Sequence, residues 1–299
     1  MRKEAVSIQY YLLLLLADGL LALNFAVTKV YQRQAGAALA AGLRFNLLLG
    51  LFTAAAFWTG CGFRVEASPY SVAMAAAAAA LCVGYTLVGF QILRRDSVAL
   101  YTVFLMCGGM TVPYLFGALF LEEAVSWRGI LGLLLILVSV WITHGGGKCA
   151  DRRQLWLCGL VFLLNGFVSV VSKVHQVHPG GVSAVSFLVL NSCFKAVFSA
   201  VALLGLRLRR PSAGVSVAPV PLTLSAVGWI ALSALLGGGS YLCQLVAAAA
   251  LPATVVYPIV TGGSILLTVA AGWIFFRERV SGKMWIGIGL CGVGTGLFI

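Results

Sequence analysis

The chain has 299 residues, of which 61% are hydrophobic and only 9% charged, and its mean hydropathy is +1.03. So few charges exclude an ordinary soluble domain, in which about 25% of residues are charged. The net charge of +12 suggests nucleic acid only in a soluble protein; here the basic residues cluster between apolar segments, so we expect no nucleic-acid partner.

Apolar segments separated by charged or Gly/Pro-containing breaks predict ten membrane-spanning helices. A spanning helix needs roughly 20 mostly apolar residues, because its backbone polar groups must be satisfied within the segment. In chain order the predicted spans are Ile8 to Thr28, Ala37 to Thr59, Tyr70 to Leu93, Val98 to Leu121, Trp127 to His144, Leu155 to Ser172, Val182 to Leu206, Thr223 to Val246, Ala253 to Phe276 and Met284 to Ile299. The leucine-rich first span also resembles a cleaved signal peptide.

The two halves of the chain repeat each other. Thr28 to Gln32 recurs as Ser172 to Gln176 at an offset of 144, and Phe120 to Ser126 recurs as Phe275 to Ser281 at an offset of 155. At the offset of 155, four glycines of the first half align with glycines of the second half: Gly84 with Gly239, Gly108 with Gly263, Gly117 with Gly272, and Gly132 with Gly287. The first span therefore has a partner in the second half, which favours a retained helix over a signal peptide.

Each half holds five spans, and this odd number makes the second copy enter the membrane from the opposite side. The sequence thus predicts an all-α integral membrane protein built as two inverted five-helix repeats, residues 1–147 and 148–299. Such repeats are typical of secondary transporters, whose substrate site lies near the membrane midplane between the halves. Duplication without transport, as in a scramblase or a membrane enzyme, is the alternative.

Motifs for nucleotide binding, metal binding or catalysis are not found in the sequence, which lacks a P-loop, HExxH, GxSxG and any metal-ligand spacing. We therefore expect neither an enzyme nor a cofactor nor a metal, and a carrier driven by a gradient is favoured over a pump. The eight cysteines occur singly and are interpreted as small core residues.

The repeated motif resembles that of the drug/metabolite transporter superfamily, in its EamA-like ten-helix type. An aromatic or leucine pair, an acidic residue, Val-Ser and a glycine one turn into the next span occur at Phe120 to Gly132 and at Phe275 to Gly287. The resemblance covers nearly the whole chain. The four-helix unit of the small multidrug-resistance proteins is also similar to each half.

Asp18 is the only carboxylate well inside a predicted span. A charge at mid-helix costs roughly 2.5 to 3.5 kcal/mol on insertion scales, so such a residue is a functional candidate. Its placement resembles that of the acidic residue through which small multidrug-resistance proteins exchange protons for cations, which implies a coupling role. A structural pair with a buried cation is the alternative. Lys29 and Lys173 are repeat mates near helix ends, where long side chains can snorkel to the membrane interface, so we interpret them as structural residues.

Two deeper cations, Arg44 and Lys195, are candidates for substrate binding. Lys195 follows Asn191 by one helical turn, and the repeat aligns Asn191 with Asn46, close to Arg44. We expect these four residues to line one central cavity from both halves. Its positive excess favours a substrate with a carboxylate or phosphate, including a zwitterion.

Further candidate lining residues share helix faces. In span nine they are Tyr257, Thr261, Ser264 and Thr268, whose repeat mates are Thr102, Met106, Gly109 and Pro113. Spans three and eight contribute Tyr85, Ser240 and Gln244, and spans one and six contribute Asn24 and Asn165. The alternative is that these groups hydrogen-bond only to their own backbone or to a neighbouring helix.

The sequence therefore predicts a multi-pass protein of the cell membrane, a monomer or homodimer, that moves a small organic metabolite such as an amino acid or organic acid by alternating access. The alternatives are a lipid or lipid-intermediate scramblase or flippase, and an exporter of organic cations coupled to protons through Asp18. Of the 20 Lys and Arg residues, 13 fall on the face away from the termini and 5 on the face of the termini. This count predicts outward-facing termini, whereas the resemblance to EamA-like proteins, many of which have both termini in the cytoplasm, implies the opposite orientation.

Overall fold

The computed structural model describes residues 2–35, 39–93, 98–144, 152–208, 223–276 and 282–298, and these residues form helices without any strand. The ten helices are α1 (Arg2–Ala35), α2 (Leu39–Gly60), α3 (Pro69–Leu93), α4 (Val98–Phe120), α5 (Trp127–His144), α6 (Arg152–Val177), α7 (Ala184–Leu208), α8 (Leu224–Ala250), α9 (Ala253–Phe276) and α10 (Gly282–Gly296). Each predicted span falls on one helix, so the number and order of the helices in the described part of the chain are confirmed.

Eight of the helices, all except α5 and α10, contain a segment long and apolar enough to cross a membrane. In α5 the apolar part, Trp127–Ile142, is shorter, and α10 has 15 residues. Exposed tryptophans lie within one turn of a helix end, where aromatic rings favour the membrane interface: Trp58, Trp127, Trp141, Trp156, Trp273 and Trp285. The chain is a multi-pass membrane protein.

The most extensive helix contacts join the two halves of the chain, namely α1 with α8, α2 with α7, α4 with α6, α3 with α6, and α5 with α10. Glycines permit these close approaches. A Cβ at Gly108 in α4 would lie 2.7 Å from the Cα of Phe162 in α6, and a Cβ at Gly50 in α2 would lie 2.7 Å from the carbonyl oxygen of Ser192 in α7. The halves are therefore interlocked rather than side by side.

Helices α5 and α10 pack on each other through small residues. The Ser139 hydroxyl donates a 2.7 Å hydrogen bond to the Gly287 carbonyl oxygen, and a Cβ at Gly132 would lie 2.7 Å from the Gly294 carbonyl oxygen. We call the face at which α4, α6, α8 and α10 end, and at which both termini are expected, the termini face. The remaining eight helices enclose the space between the halves.

Candidate functional site

A cavity of about 400 Å³ lies between the halves and is lined by α1 to α4 and α6 to α9, with no lining residue from α5 or α10. Small-molecule sites commonly have volumes of roughly 300 to 1,000 Å³. Four helices of each half contribute, as expected for a central site. The volume suits a metabolite of modest size.

Most of the predicted binding residues line this cavity: Tyr85, Asn191, Lys195, Ser240, Gln244, Tyr257, Thr261 and Ser264. Asn24 and Asn165 line the cavity as well. So do Met106 and Gly109, the span-four repeat mates of Thr261 and Ser264. The structure does not place Thr268, Thr102 or Pro113 among the lining residues. The expectation of a shared polar surface from spans three, four, eight and nine therefore holds for its central part.

Arg44 and Asn46 are not among the lining residues, so the structure does not bring all four predicted partners together. Helix α2 presents Gly50 and Thr53 to the cavity, and Arg44 lies about 120° away from Gly50 around the helix. The Asn46 amide instead donates a 3.2 Å hydrogen bond to the Thr86 hydroxyl of α3. Sequence alignment of the repeats identified the helix but not the direction of these side chains.

The charge of the cavity comes from Lys195, since no other Lys, Arg, Asp or Glu is among its lining residues. The side-chain oxygens of Asn24 and Asn191 are buried and accept no hydrogen bond from the residues that the structure describes. The Asn165 amide is committed elsewhere, because it donates a 2.8 Å hydrogen bond to the Leu105 carbonyl oxygen. The site thus holds one cation, and two amide oxygens without a hydrogen-bond partner among the described residues lie buried in its walls.

Two tyrosines line the cavity on the side of the termini face. The Tyr257 hydroxyl donates a 2.6 Å hydrogen bond to the Ser169 carbonyl oxygen, and the hydroxyls of Tyr241 and Ser172 lie 2.7 Å apart. These four residues, which we call the tyrosine layer, tie α8 and α9 to α6. They also line a second cavity of about 30 Å³ immediately beyond the main one.

Beyond the tyrosine layer, Lys173 and Glu123 hold the turn between α8 and α9. The Lys173 ammonium donates hydrogen bonds of 2.8 and 2.7 Å to the carbonyl oxygens of Ala248 and Leu251. The two carboxylate oxygens of Glu123 each accept a 2.8 Å bond, from the backbone N–H groups of Ala253 and Thr254. The Lys173 ammonium lies 3.7 Å from the Glu123 carboxylate.

Lys173 does not snorkel to the interface, because the residue is 5% exposed and its ammonium is hydrogen-bonded inside the bundle. These contacts agree with the interpretation of Lys173 as a structural residue, although the reason differs from the expected one. Glu123, in the connection between α4 and α5, is a residue that the sequence analysis did not identify as a candidate. The sequence signal that could have identified Glu123 is its position in the motif that both halves repeat. Its hydrogen bonds to the first residues of α9 could be recognised only from the tertiary structure.

Asp18 lies outside the cavity. It is fully buried in α1, its carboxylate lies against Gly263 of α9, and neither oxygen has a hydrogen-bond partner in the described part of the chain. Its repeat mate at the offset of 144 is Phe162, whose backbone lies against Gly108, the mate of Gly263. The expected structural pair with a buried cation is not found among the described residues.

No family model and no curated protein matches this chain, whereas 28 chains of solved structures do. One of them, described only as "Crystal structure of protein", matches with a TM-score of 0.71 and 17% sequence identity. The match covers 97% of this chain and 96% of the other. At this identity the likeness concerns the fold, which a solved structure shares over almost its full length.

Proposed function

We propose that this protein is a secondary transporter that carries a small organic metabolite across the cell membrane by alternating access. The observation that carries the proposal is the polar cavity of about 400 Å³ between the halves, lined by four helices of each half. The tyrosine layer and the Lys173–Glu123 pair close this cavity toward the termini face. A central site closed on one side is what a carrier needs in one of its states.

We further propose that the ten helices form two inverted repeats, residues 1–147 and 148–299. Under this repeat, α1 corresponds to α6, α3 to α8, and α4 to α9. The contact between α1 and α8 then has its counterpart between α6 and α3, and the contact between α4 and α6 has its counterpart between α9 and α1. All four contacts are extensive. Equivalent contacts occur at equivalent glycines: a Cβ at Gly84 would lie 3.7 Å from Leu164, and a Cβ at Gly239 would lie 3.4 Å from Leu20. Gly84 and Gly239 are repeat mates, and so are Leu20 and Leu164. The repeated motif supports membership of the EamA-like drug/metabolite transporters.

The composition of the site favours an amino acid or an organic acid as substrate. Lys195 can pair with a carboxylate, and the carbonyl groups of Asn24 and Asn191 can accept hydrogen bonds from an ammonium. An organic cation is less suited, because none of the described residues that line the cavity is a carboxylate. A scramblase is also less favoured, since Lys195 lines the central cavity.

We propose that Asp18 couples proton binding to transport. Because Asp18 lies at the α1–α9 contact and not in the cavity, its protonation acts on the packing of these helices and not on the substrate directly. Removing the negative charge of an unpartnered buried carboxylate changes the free energy of that contact. Different protonation in the two conformations would therefore link transport to a proton gradient.

The proposal is tested by uptake into proteoliposomes preloaded with unlabelled metabolite, after a thermal-shift screen of amino acids, organic acids and organic cations. A ligand that binds the folded state raises the melting temperature by mass action. We expect a carboxylate-bearing compound to stabilise the protein and to exchange across the vesicle membrane. Exchange of fluorescent phospholipids between leaflets without metabolite uptake would replace the transporter with a scramblase.

A further inference from the structure

We propose that Lys173 and Glu123 form the gate of the cavity at the termini face, and that their release of the α8–α9 turn accompanies opening on that side. The inference rests on the proposed transport function for its place in a cycle. The barrier itself can be tested without any substrate.

The contacts join three segments that are separate in the chain. Glu123 comes from the connection between α4 and α5, Lys173 from α6, and their backbone partners from the α8–α9 turn. The carboxylate satisfies free N–H groups at the start of α9, and the ammonium satisfies free carbonyl oxygens at the end of α8. Both charges have the sign that the respective helix dipole favours.

The pair adjoins the small cavity that lies beyond the tyrosine layer. The small cavity beyond the tyrosine layer shares Ser169, Tyr241 and Tyr257 with the main cavity and reaches Ala248. Ala248 is the residue whose carbonyl oxygen accepts the 2.8 Å bond from Lys173. A substrate leaving through the small cavity must therefore separate the tyrosine layer first and the Lys173–Glu123 pair next.

The nature of these bonds suits a gate better than a permanent support. The turn is held by hydrogen bonds between its backbone groups and the charged ends of two long side chains, and the Glu123 side chain is 10% exposed. When the gate opens, water can satisfy the same ammonium, carboxylate and backbone groups. If the gate were instead a buried apolar contact, water could not replace the interactions lost on opening.

The tyrosine layer is not repeated in the other half. At the offset of 155, Thr86 and Thr102 occupy the positions of Tyr241 and Tyr257. At these two positions the larger side chains therefore occur only in the second half of the chain.

The test uses Cys82, a native residue that lines the cavity. In a chain whose other seven cysteines are alanine, oriented proteoliposomes are treated at the termini face with the membrane-impermeant reagent methanethiosulfonate ethylsulfonate. With the gate closed, Cys82 is protected. We expect Lys173→Met to raise its labelling rate at least about fivefold, a typical size for a shifted conformational equilibrium. Glu123→Gln should raise it less, because one side-chain oxygen can still accept a bond from α9.

Glu122→Gln is the matched control, since Glu122 is an exposed neighbour of Glu123, and its labelling should equal that of the parent chain. Each variant is first checked for a single symmetric peak in size-exclusion chromatography; if Lys173→Met fails this check, Glu123→Gln decides. Labelling of Cys82 at the parent rate in every folded variant would overturn the gate. That result leaves the transport proposal intact, because uptake is measured separately.

Discussion

Asp18 in α1 and Gly263 in α9 lie directly against each other, so that a Cβ at position 263 would come within 2.7 Å of the Asp18 Cγ. The equivalent contact in the other half joins Phe162 and Gly108. Both helix crossings have a glycine at the point of contact. The residue opposite the glycine is an aspartate in one crossing and a phenylalanine in the other. An acid at this crossing is expensive in a membrane protein, which is why we assign it a function.

Asp18→Asn should remove the dependence of uptake on the pH gradient and leave the protein folded. No described residue pairs with the carboxylate, so its loss breaks no ion pair within the described part of the chain. Uptake is measured with and without an imposed gradient, and folding by the melting temperature in detergent. A large fall in melting temperature would instead indicate that Asp18 has a structural partner. Uptake that kept its full gradient dependence would disprove the coupling role.

Gly108→Ala should destabilise the protein more than Gly263→Ala. The added methyl at position 108 meets the backbone of Phe162, which cannot move away, whereas at position 263 it meets the end of the Asp18 side chain. Overpacking typically costs about 1 to 3 kcal/mol. Melting temperatures are compared with those of Gly239→Ala, whose methyl meets only Leu20 at 3.4 Å.

A double variant tests whether the new methyl at position 263 meets the Asp18 side chain. Asp18→Ala should restore the stability of Gly263→Ala, because it removes the atoms that the new methyl meets, but should leave Gly108→Ala unchanged. Rescue of both glycine variants, or of neither, would show that the α1–α9 contact does not have the described geometry.

Lys195→Gln should weaken binding of a carboxylate substrate by roughly 10- to 100-fold, the usual loss for a hydrogen bond to a charged group. Arg44→Gln should leave affinity unchanged, because Arg44 does not line the cavity. The dissociation constants are measured by isothermal titration with the best compound from the thermal-shift screen. If Arg44→Gln weakened binding as much as Lys195→Gln did, the substrate would have to contact a surface outside this cavity.

Lys173 and Glu123 should be energetically coupled. Their side chains are 6% and 10% exposed, and removing one partner of a buried ion pair typically costs about 3 to 5 kcal/mol because the other charge remains unpaired. The double variant Lys173→Met with Glu123→Gln should therefore lose less stability than the two single variants together. Denaturant unfolding of the four proteins in detergent gives the coupling free energy. Additive losses would mean that the two residues act independently.

The termini should face outward. The face opposite the termini carries 13 of the 20 basic residues, and the buried, hydrogen-bonded Lys173 is one of only five on the termini face. Lys and Arg are enriched in short cytoplasmic loops. A reporter that is active only in the cytoplasm, fused after Ile299, should be inactive. A cysteine introduced at Ser212, which lies outside the described residues, should resist impermeant reagents applied to intact cells; the reverse results would place the termini inside.

The sequence by itself determined the helices and much of the cavity lining. Apolar length alone decides which segments span a membrane, and comparing the halves showed which helices correspond. Helical periodicity then placed Tyr257, Thr261 and Ser264 on one face, and all three line the cavity. Lys195 was identifiable because a cation deep in an apolar segment needs a polar surface around it.

Only the tertiary structure decided what lies opposite each polar side chain. It turned Arg44 away from the cavity, placed Asp18 against Gly263, and brought Glu123 to the first N–H groups of a helix 130 residues later in the chain. Periodicity specifies the face of a helix on which a residue lies. The partner that faces it depends on how distant helices cross, and here those crossings are set by the glycines at which backbones approach each other.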